Sequence, residues 1–128
     1  MKLNFRPKAA FASKKALKYL QDKNPVDIKQ VVVIRHAAIG DFMNIRPFLL
    51  GLKSFFPNAK VTLNTINTYA YGTPDDLIDV VHIIDRTVNG KKTSAFQRLK
   101  QIRQLPKADI LFDLTDSSLS LLTAIFSK

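Results

Sequence analysis

The chain contains no cysteine and no tryptophan, and its ten acidic residues are all aspartate, with no glutamate anywhere. Without cysteine there can be no disulfide frame and no thiolate metal site. No apolar run approaches the ~18–20 residues needed to cross a bilayer; the longest candidate, Leu119 to Phe126, is far too short. Met1 to Lys23 is basic but lacks a continuous apolar stretch and a small-residue cleavage site, so it does not read as a secretory signal. These absences fit a cytoplasmic protein. What is present is a folded domain: 128 residues, 46% of them apolar, enough to bury roughly two-thirds of the unfolded surface.

The charge of +10 is unevenly placed. Residues 1–24 carry seven basic groups against one acid, and residues 86–107 carry seven basic groups and no acid. The rest is nearly balanced. Such patches serve solubility first; phosphate-bearing partners such as nucleic acid, anionic lipid or a phosphorylated sugar come next.

Periodicity predicts an alternating chain. Pro7 to Lys23 has a helical spacing and is stopped by Asn24-Pro25. Gln30 to Ile34 reads as a strand buried on both faces. His36 to Gly40 is a loop, and Asp41 to Phe56 a helix with Phe42, Ile45, Leu49, Leu52 and Phe56 on one stripe and a kink at Pro47. Lys60 to Ile66 is a second strand, Asp75 to Ile78 one helical turn after a loop, and Val80 to Ile84 a third strand. Thr93 to Gln104 is helical through Phe96, Leu99 and Ile102, Ala108 to Leu114 is a fourth strand, and a helix runs from Ser117. This is the pattern of a Rossmann-like α/β fold, a parallel sheet of order 3-2-1-4 with helices on both faces.

Ligands of such sheets bind at the carboxyl ends of the strands, where strand order reverses. That places interest on Arg35-His36-Ala37-Ala38-Ile39-Gly40-Asp41. With one glycine it is neither a dinucleotide fingerprint nor a phosphate-binding P-loop. Asp41 has two readings: an N-cap of the following helix, or a catalytic carboxylate at the switch point. Asp113 and Asp116, three apart, are explained by turn and capping roles more readily than by Mg²⁺. His36 and His82 read as lone imidazoles, the first near substrate and the second structural. Arg98, Lys100, Arg103 and Lys107 read as a solvated helix face.

The run Val31 to Asp41, then Arg46-Pro47, Leu52-Lys53 and Phe56 to Val61, resembles the start of the ADP-heptose:lipopolysaccharide heptosyltransferases, glycosyltransferase family 9. Val80 to Arg86 and Ala108 to Thr115 are similar to later strands of that family; Thr115 and Asp116 stand where it commonly has Gln and Gly. The resemblance starts near Asp27. It implies residues 1–26 as a basic helical extension and 27–128 as the first part of the acceptor-side, N-terminal domain of a two-domain GT-B enzyme, whose second, nucleotide-sugar domain is absent from this chain. An edge strand at Ala108 to Leu114 and a final helix apolar all round point the same way.

The implied activity is inverting transfer of a heptose from ADP-heptose to a lipopolysaccharide core acceptor, with Asp41 as general base. A helix N-terminus favours an ionised carboxylate and so weakens it as a base, which is the one tension in that assignment. Implied substrate contacts are Gly40, His36, Arg86, Lys91, Lys92, Asp113 and Thr115, the cations meeting an anionic lipid-linked acceptor. The implied location is the cytoplasmic face of an inner membrane, with the basic N-terminal helix as a surface anchor. The sequence has no Asp-x-Asp, through which glycosyltransferases of the other common architecture hold a metal–nucleotide pair, so neither metal nor cofactor is expected. The alternative is a non-catalytic basic α/β module for nucleic acid or anionic lipid; no nucleic-acid motif is legible, and no nucleic-acid partner is expected. A receiver-type signalling domain would need an acidic pair where Arg35-His36 stands.

Overall fold

The Val-Val-Val-Ile core of β1 (Gln30–Ile34) is wholly buried, so this strand needs neighbours on both edges and cover on both faces. The computed structural model, which describes residues 12–115 and 117–127, supplies all four. β2 (Lys60–Ile66) and then β3 (Val80–Ile84) extend the sheet on one side. The short β4 (Thr87–Val88) and β5 (Lys91–Lys92) form a separate antiparallel hairpin, and β6 (Ile110–Asp113) closes the other side of β1. The main sheet is parallel in the order β3-β2-β1-β6, the order expected from the sequence.

Alternation along the strands sorts the core into two layers. Val31, Val33, Val61 and Leu63 pack against Phe42, Ile45, Leu49, Leu52 and Phe56, the stripe read from the sequence. On the opposite face Val32 and Ile34 meet Leu105 and Ala124, while Ile66 and Ile84 meet Ile102 and Leu119. The first layer is carried by α2 (Ile39–Asn44) and α3 (Arg46–Phe55), with Tyr19 of α1 (Lys14–Asp22) against its margin. The second is carried by α4 (Ala95–Ile102) and α5 (Ser118–Phe126). At the amino ends of the strands two aspartates act as clasps. Asp79 accepts the Val61 N–H at 2.7 Å, and Asp109 accepts the Lys29 and Gln30 N–H groups, each at 2.9 Å.

Several boundaries differ from the sequence reading, each for a local reason. α1 starts after Ser13, whose hydroxyl caps it by accepting the Ala16 N–H; the part of the expected helix from Pro7 to Phe11 lies outside the described residues. Instead of one kinked helix there are two, with Ile45 as the joint and Pro47 in the first turn of α3, where its missing N–H leaves no bond unmade. Asp75 to Ile78 makes a turn rather than a helical turn, with Asp75 Oδ1 accepting the Thr73 hydroxyl at 2.6 Å. α4 is trimmed by a capping box of Ser94 and Gln97, and Phe96, expected on its inner stripe, is exposed.

The departure of α5 is larger. Its fully buried residues are Ser120 and Thr123, while Leu121, Leu122, Ile125 and Phe126 are exposed. The inward polar groups are satisfied locally: Ser120 Oγ donates to the Thr115 and Ser117 carbonyls, and Thr123 Oγ1 to the Leu119 carbonyl at 2.8 Å. The helix therefore presents its apolar side outward. Ser117, not Asp116, is its N-cap; Asp116 lies outside the described residues. Among the described residues no helix is long and apolar enough to cross a membrane.

Candidate functional site

β1 delivers two consecutive side chains to opposite faces of the sheet at its carboxyl end. Arg35 goes to the α2 side. Its Nη2 lies 3.1 Å from Asp41 Oδ1, and its Nη1 donates to the Leu114 carbonyl just beyond β6. Asp41 is not the N-cap of α2: that position is Ala38, which contributes no side-chain bond, and Asp41 sits in the first helical turn with its own N–H on the Ala38 carbonyl at 2.9 Å. Gly40 precedes it in the same turn, exposed, with open space where a Cβ would stand. The capping alternative is thus replaced by an ion pair that ties Asp41 to the end of β1.

His36 goes to the other face and begins a chain of hydrogen bonds. Its backbone N–H donates to Thr115 Oγ1 at 2.8 Å, and its Nε2 is 2.8 Å from Asn64 Oδ1. Asn64 Nδ2 is 2.9 Å from His82 Nδ1, the residue directly opposite it in the β2–β3 register. His82 Nε2 meets the Gln101 carbonyl at 3.0 Å, and the Gln101 side chain is bound at both ends to Asp85, donating to Oδ2 at 2.9 Å and accepting the backbone N–H at 3.0 Å. The two histidines, expected to be unconnected, are joined through Asn64. Burial pushes both rings below the ordinary imidazole value. For His36 that effect outweighs the Asn64 bond and the nearby Asp113 charge, which favour protonation, and Arg86 opposes protonation as well.

A cavity of about 490 Å³ opens on this face, lined by His36, Ile66, Arg86, Arg98, Ser117, Ser118, Leu119 and Leu122. Arg86 has no side-chain hydrogen bond or ion pair among the described residues, so its guanidinium is available to a ligand. Arg98 is half-buried and donates to the Thr93 carbonyl at 2.8 Å. Its place in the cavity wall overturns the reading of this residue as part of a solvated face. Together with Ser117 and Ser118 at the N-terminus of α5, the wall combines two guanidiniums with hydroxyl groups and a helix dipole, a setting for an anion. Apolar Ile66, Leu119 and Leu122 complete it.

The structure therefore brings together His36, Arg86 and Thr115 on one side of β1 and Gly40 and Asp41 on the other. Asp113, at the end of β6, accepts the Thr115 N–H on Oδ1 at 2.9 Å and lies near the His36 ring. Lys91 and Lys92 are not in the cavity wall. They lie in β5, in a hairpin where the sequence reading had a loop; Asn89 and Gly90 turn it with φ of 50° and 75°. Asn67 holds that hairpin, accepting the Arg86 N–H and donating to the Thr87 carbonyl. The Asn-Gly pair is the signal that would have revealed it. Arg35, Asn64, Arg98 and Gln101 were also missed as parts of the site. For Asn64 the available signal was a polar residue alternating with the buried side chains of a strand.

Comparison with known proteins bears on the fold. No family model and no curated protein matches the chain. A crystal structure of a glycosyl transferase family 9 protein from Veillonella parvula superposes with a TM-score of 0.57 at 20% sequence identity, over 80% of this chain. The two share a fold. The chain spans 30% of the length of that neighbour. The Rossmann-like α/β arrangement expected from the sequence is the one observed, and it is an arrangement found within a glycosyltransferase.

Proposed function

We propose that these residues form the acceptor-side part of an inverting glycosyltransferase, with Asp41 as the general base. The observation that carries this reading is the placement of Asp41: first turn of α2, at the carboxyl edge of β1, anchored by Arg35, in a fold shared with a family 9 glycosyl transferase. An acceptor hydroxyl attacking an anomeric carbon must lose its proton as the new bond forms and the nucleoside diphosphate departs. With Oδ1 held by Arg35, Oδ2 remains to take that proton, and the guanidinium keeps the carboxylate oriented.

The finer assignment follows the sequence resemblance: heptose as the sugar, ADP-heptose as the donor and a lipopolysaccharide core as the acceptor. The cavity with Arg86 and Arg98, and the exposed Lys91 and Lys92 beside it in sequence, suit an acceptor bearing carboxylates or phosphates. Gly40, His36, Asp113 and Thr115, at the carboxyl ends of β1 and β6, would be further substrate contacts. The outward apolar side of α5 and the outer edge of β6, unpaired among the described residues, support a larger domain around them, with a second domain holding most of the nucleotide-sugar. α1 would rest on the cytoplasmic face of the membrane that carries the acceptor.

The test is donor choice by a longer protein that contains these residues together with a second domain. Incubated with an acceptor extract and a panel of nucleotide-sugars, it should release ADP from ADP-heptose and leave a product of inverted anomeric configuration. Release only from other donors would keep the transferase reading and remove heptose. A retained configuration would remove the single-base mechanism. If none of the donors is turned over while the chain binds duplex DNA with a steep salt dependence, the basic binding module is the better reading.

A further inference from the structure

Hydrogen-bond direction along the chain from Gln101 to His36 is fixed at one end and can be followed to the other. The Gln101 carbonyl can only accept, so His82 must carry its hydrogen on Nε2. In the neutral ring Nδ1 is then bare and accepts from Asn64 Nδ2. That orients the Asn64 amide, whose Oδ1 faces His36 Nε2 and can only accept there. His36 is thereby held as the Nε2–H tautomer, and its Nδ1 is left with an uncommitted lone pair. That nitrogen is enclosed and has no hydrogen-bond partner among the described residues. A buried acceptor with nothing donating to it is uncommon in folded proteins, and here the ring is held through Nε2 alone. The ring forms part of the wall of the 490 Å³ cavity, with Arg86 and Arg98 in the same wall.

We propose that Asn64, oriented by His82, is a positioning residue that fixes His36 as the neutral Nε2–H ring, so that a neutral ring and not a third cation stands beside Arg86 and Arg98 where they hold the charged group of an anionic sugar. The inference rests on the glycosyl-transfer reading for its ligand, but not for its tautomer. It gives the site a polarity: two cations for the charged group, beside an uncharged ring whose Nε2–H is already committed to Asn64. The groups that act on the ring are Asp113 at the end of β6, Arg86 after β3 and Asn64 on β2, of which only the first two carry charge; Thr115 meets the backbone N–H of His36.

Long-range ¹H–¹⁵N spectra of the isotope-labelled chain at neutral pH read the tautomer of each ring directly. Both histidines should be Nε2–H. A His36 carrying its hydrogen on Nδ1, or an even mixture, overturns the proposal. Asn64→Ala should abolish the preference at His36; an unchanged tautomer shows that Asn64 does not set it. Should that variant fail to fold, Asn64→Asp is the readout. An acceptor then faces His82 Nδ1 while Nε2 still serves the Gln101 carbonyl, so His82 should become doubly protonated at neutral pH while His36 stays Nε2–H. A His82 that remains neutral overturns the chain of donors. For the ligand arm, inorganic phosphate should shift the His36 ring resonances, and Arg86→Ala should abolish the response. Ring resonances that stay in place with phosphate, or that move equally in Arg86→Ala, remove the anion site. Loss of turnover in Asp41→Asn alongside a mixed His36 tautomer would keep the transferase reading and discard this one.

Discussion

Arg35 Nη2 stands 3.1 Å from Asp41 Oδ1 across the turn between β1 and α2, while Nη1 of the same guanidinium holds the Leu114 carbonyl beyond β6. One side chain thus joins the central strand, the edge strand and the helix that carries the proposed base. Its Nε is buried and has no partner among the described residues, so the two Nη contacts are the ones that orient the fork. The arrangement determines where Asp41 is, and it determines what happens when either residue is changed.

Arg35→Met should remove the ion pair and strand the Leu114 carbonyl, lowering stability by about 1–2 kcal/mol. Asp41→Asn still offers an oxygen to Arg35, so it should cost less than about 1 kcal/mol. Urea unfolding of the two variants checks the order. A larger loss in Asp41→Asn than in Arg35→Met would show that the carboxylate, rather than the guanidinium, is the structural member of the pair.

Asp109 is the amino-end counterpart. Two backbone N–H groups, from Lys29 and Gln30, hold its carboxyl below the usual carboxylate range, with Lys23 and Lys107 assisting. A depressed folded pKa contributes stability that is present above the unfolded value near ~4 and lost as the pH falls through the folded one. Asp109→Ala should lower stability by about 1 kcal/mol at neutral pH, since the group is largely exposed, and the gap to the parent should close in acid. A gap that persists unchanged in acid would mean that the loss is one of packing.

The two histidines have the same linkage sign on a different window. Both are pushed below their ordinary value of 6.5 by burial, so the stability they contribute is complete above that value and falls as the pH drops through their folded pKa values. As the pH falls below their ordinary value of 6.5 the parent should lose stability, and His82→Gln should flatten that slope. Parallel curves would place the titration elsewhere.

These relationships separate what the sequence makes legible from what it hides. Strand order and the inner stripe of α2 and α3 follow from local periodicity: Val31 to Ile34 and the series Phe42, Ile45, Leu49, Leu52, Phe56 can be satisfied in only one layered way. Asp41 was findable because the end of the first strand is where such sheets bind ligands. Its partner was not, since a neighbouring Arg35 on the same strand end could have pointed to solvent. Asn64 and His82 lie eighteen residues apart, and only the β2–β3 register puts them opposite each other. Arg98 looked like surface because its helix is basic, and α5 misled because its inward residues are Ser120 and Thr123, which satisfy themselves locally and let the leucines turn outward.

α1 buries none of its residues; Leu17 is 49% and Leu20 37% exposed, with Lys14, Lys15 and Lys18 on the same short helix. An exposed apolar pair flanked by lysines suits an anionic lipid surface, where each basic group adds about 1 kcal/mol. The chain should cosediment with vesicles containing phosphatidylglycerol and not with neutral phosphatidylcholine vesicles, and Leu17→Ser with Leu20→Ser should weaken the binding several-fold. Equal binding to both lipids, or none, removes the membrane from the account.

The most direct test of the central claim is the turnover of Asp41→Asn in a longer protein that carries these residues and a donor domain. The substitution keeps the size of the side chain and an oxygen for Arg35 while removing the base. If Asp41 takes the acceptor proton, kcat should fall on the order of 10²–10⁴-fold with donor affinity and thermal stability nearly unchanged. A variant that turns over within a few-fold of its parent would contradict the account and leave Asp41 as the structural partner of Arg35 alone.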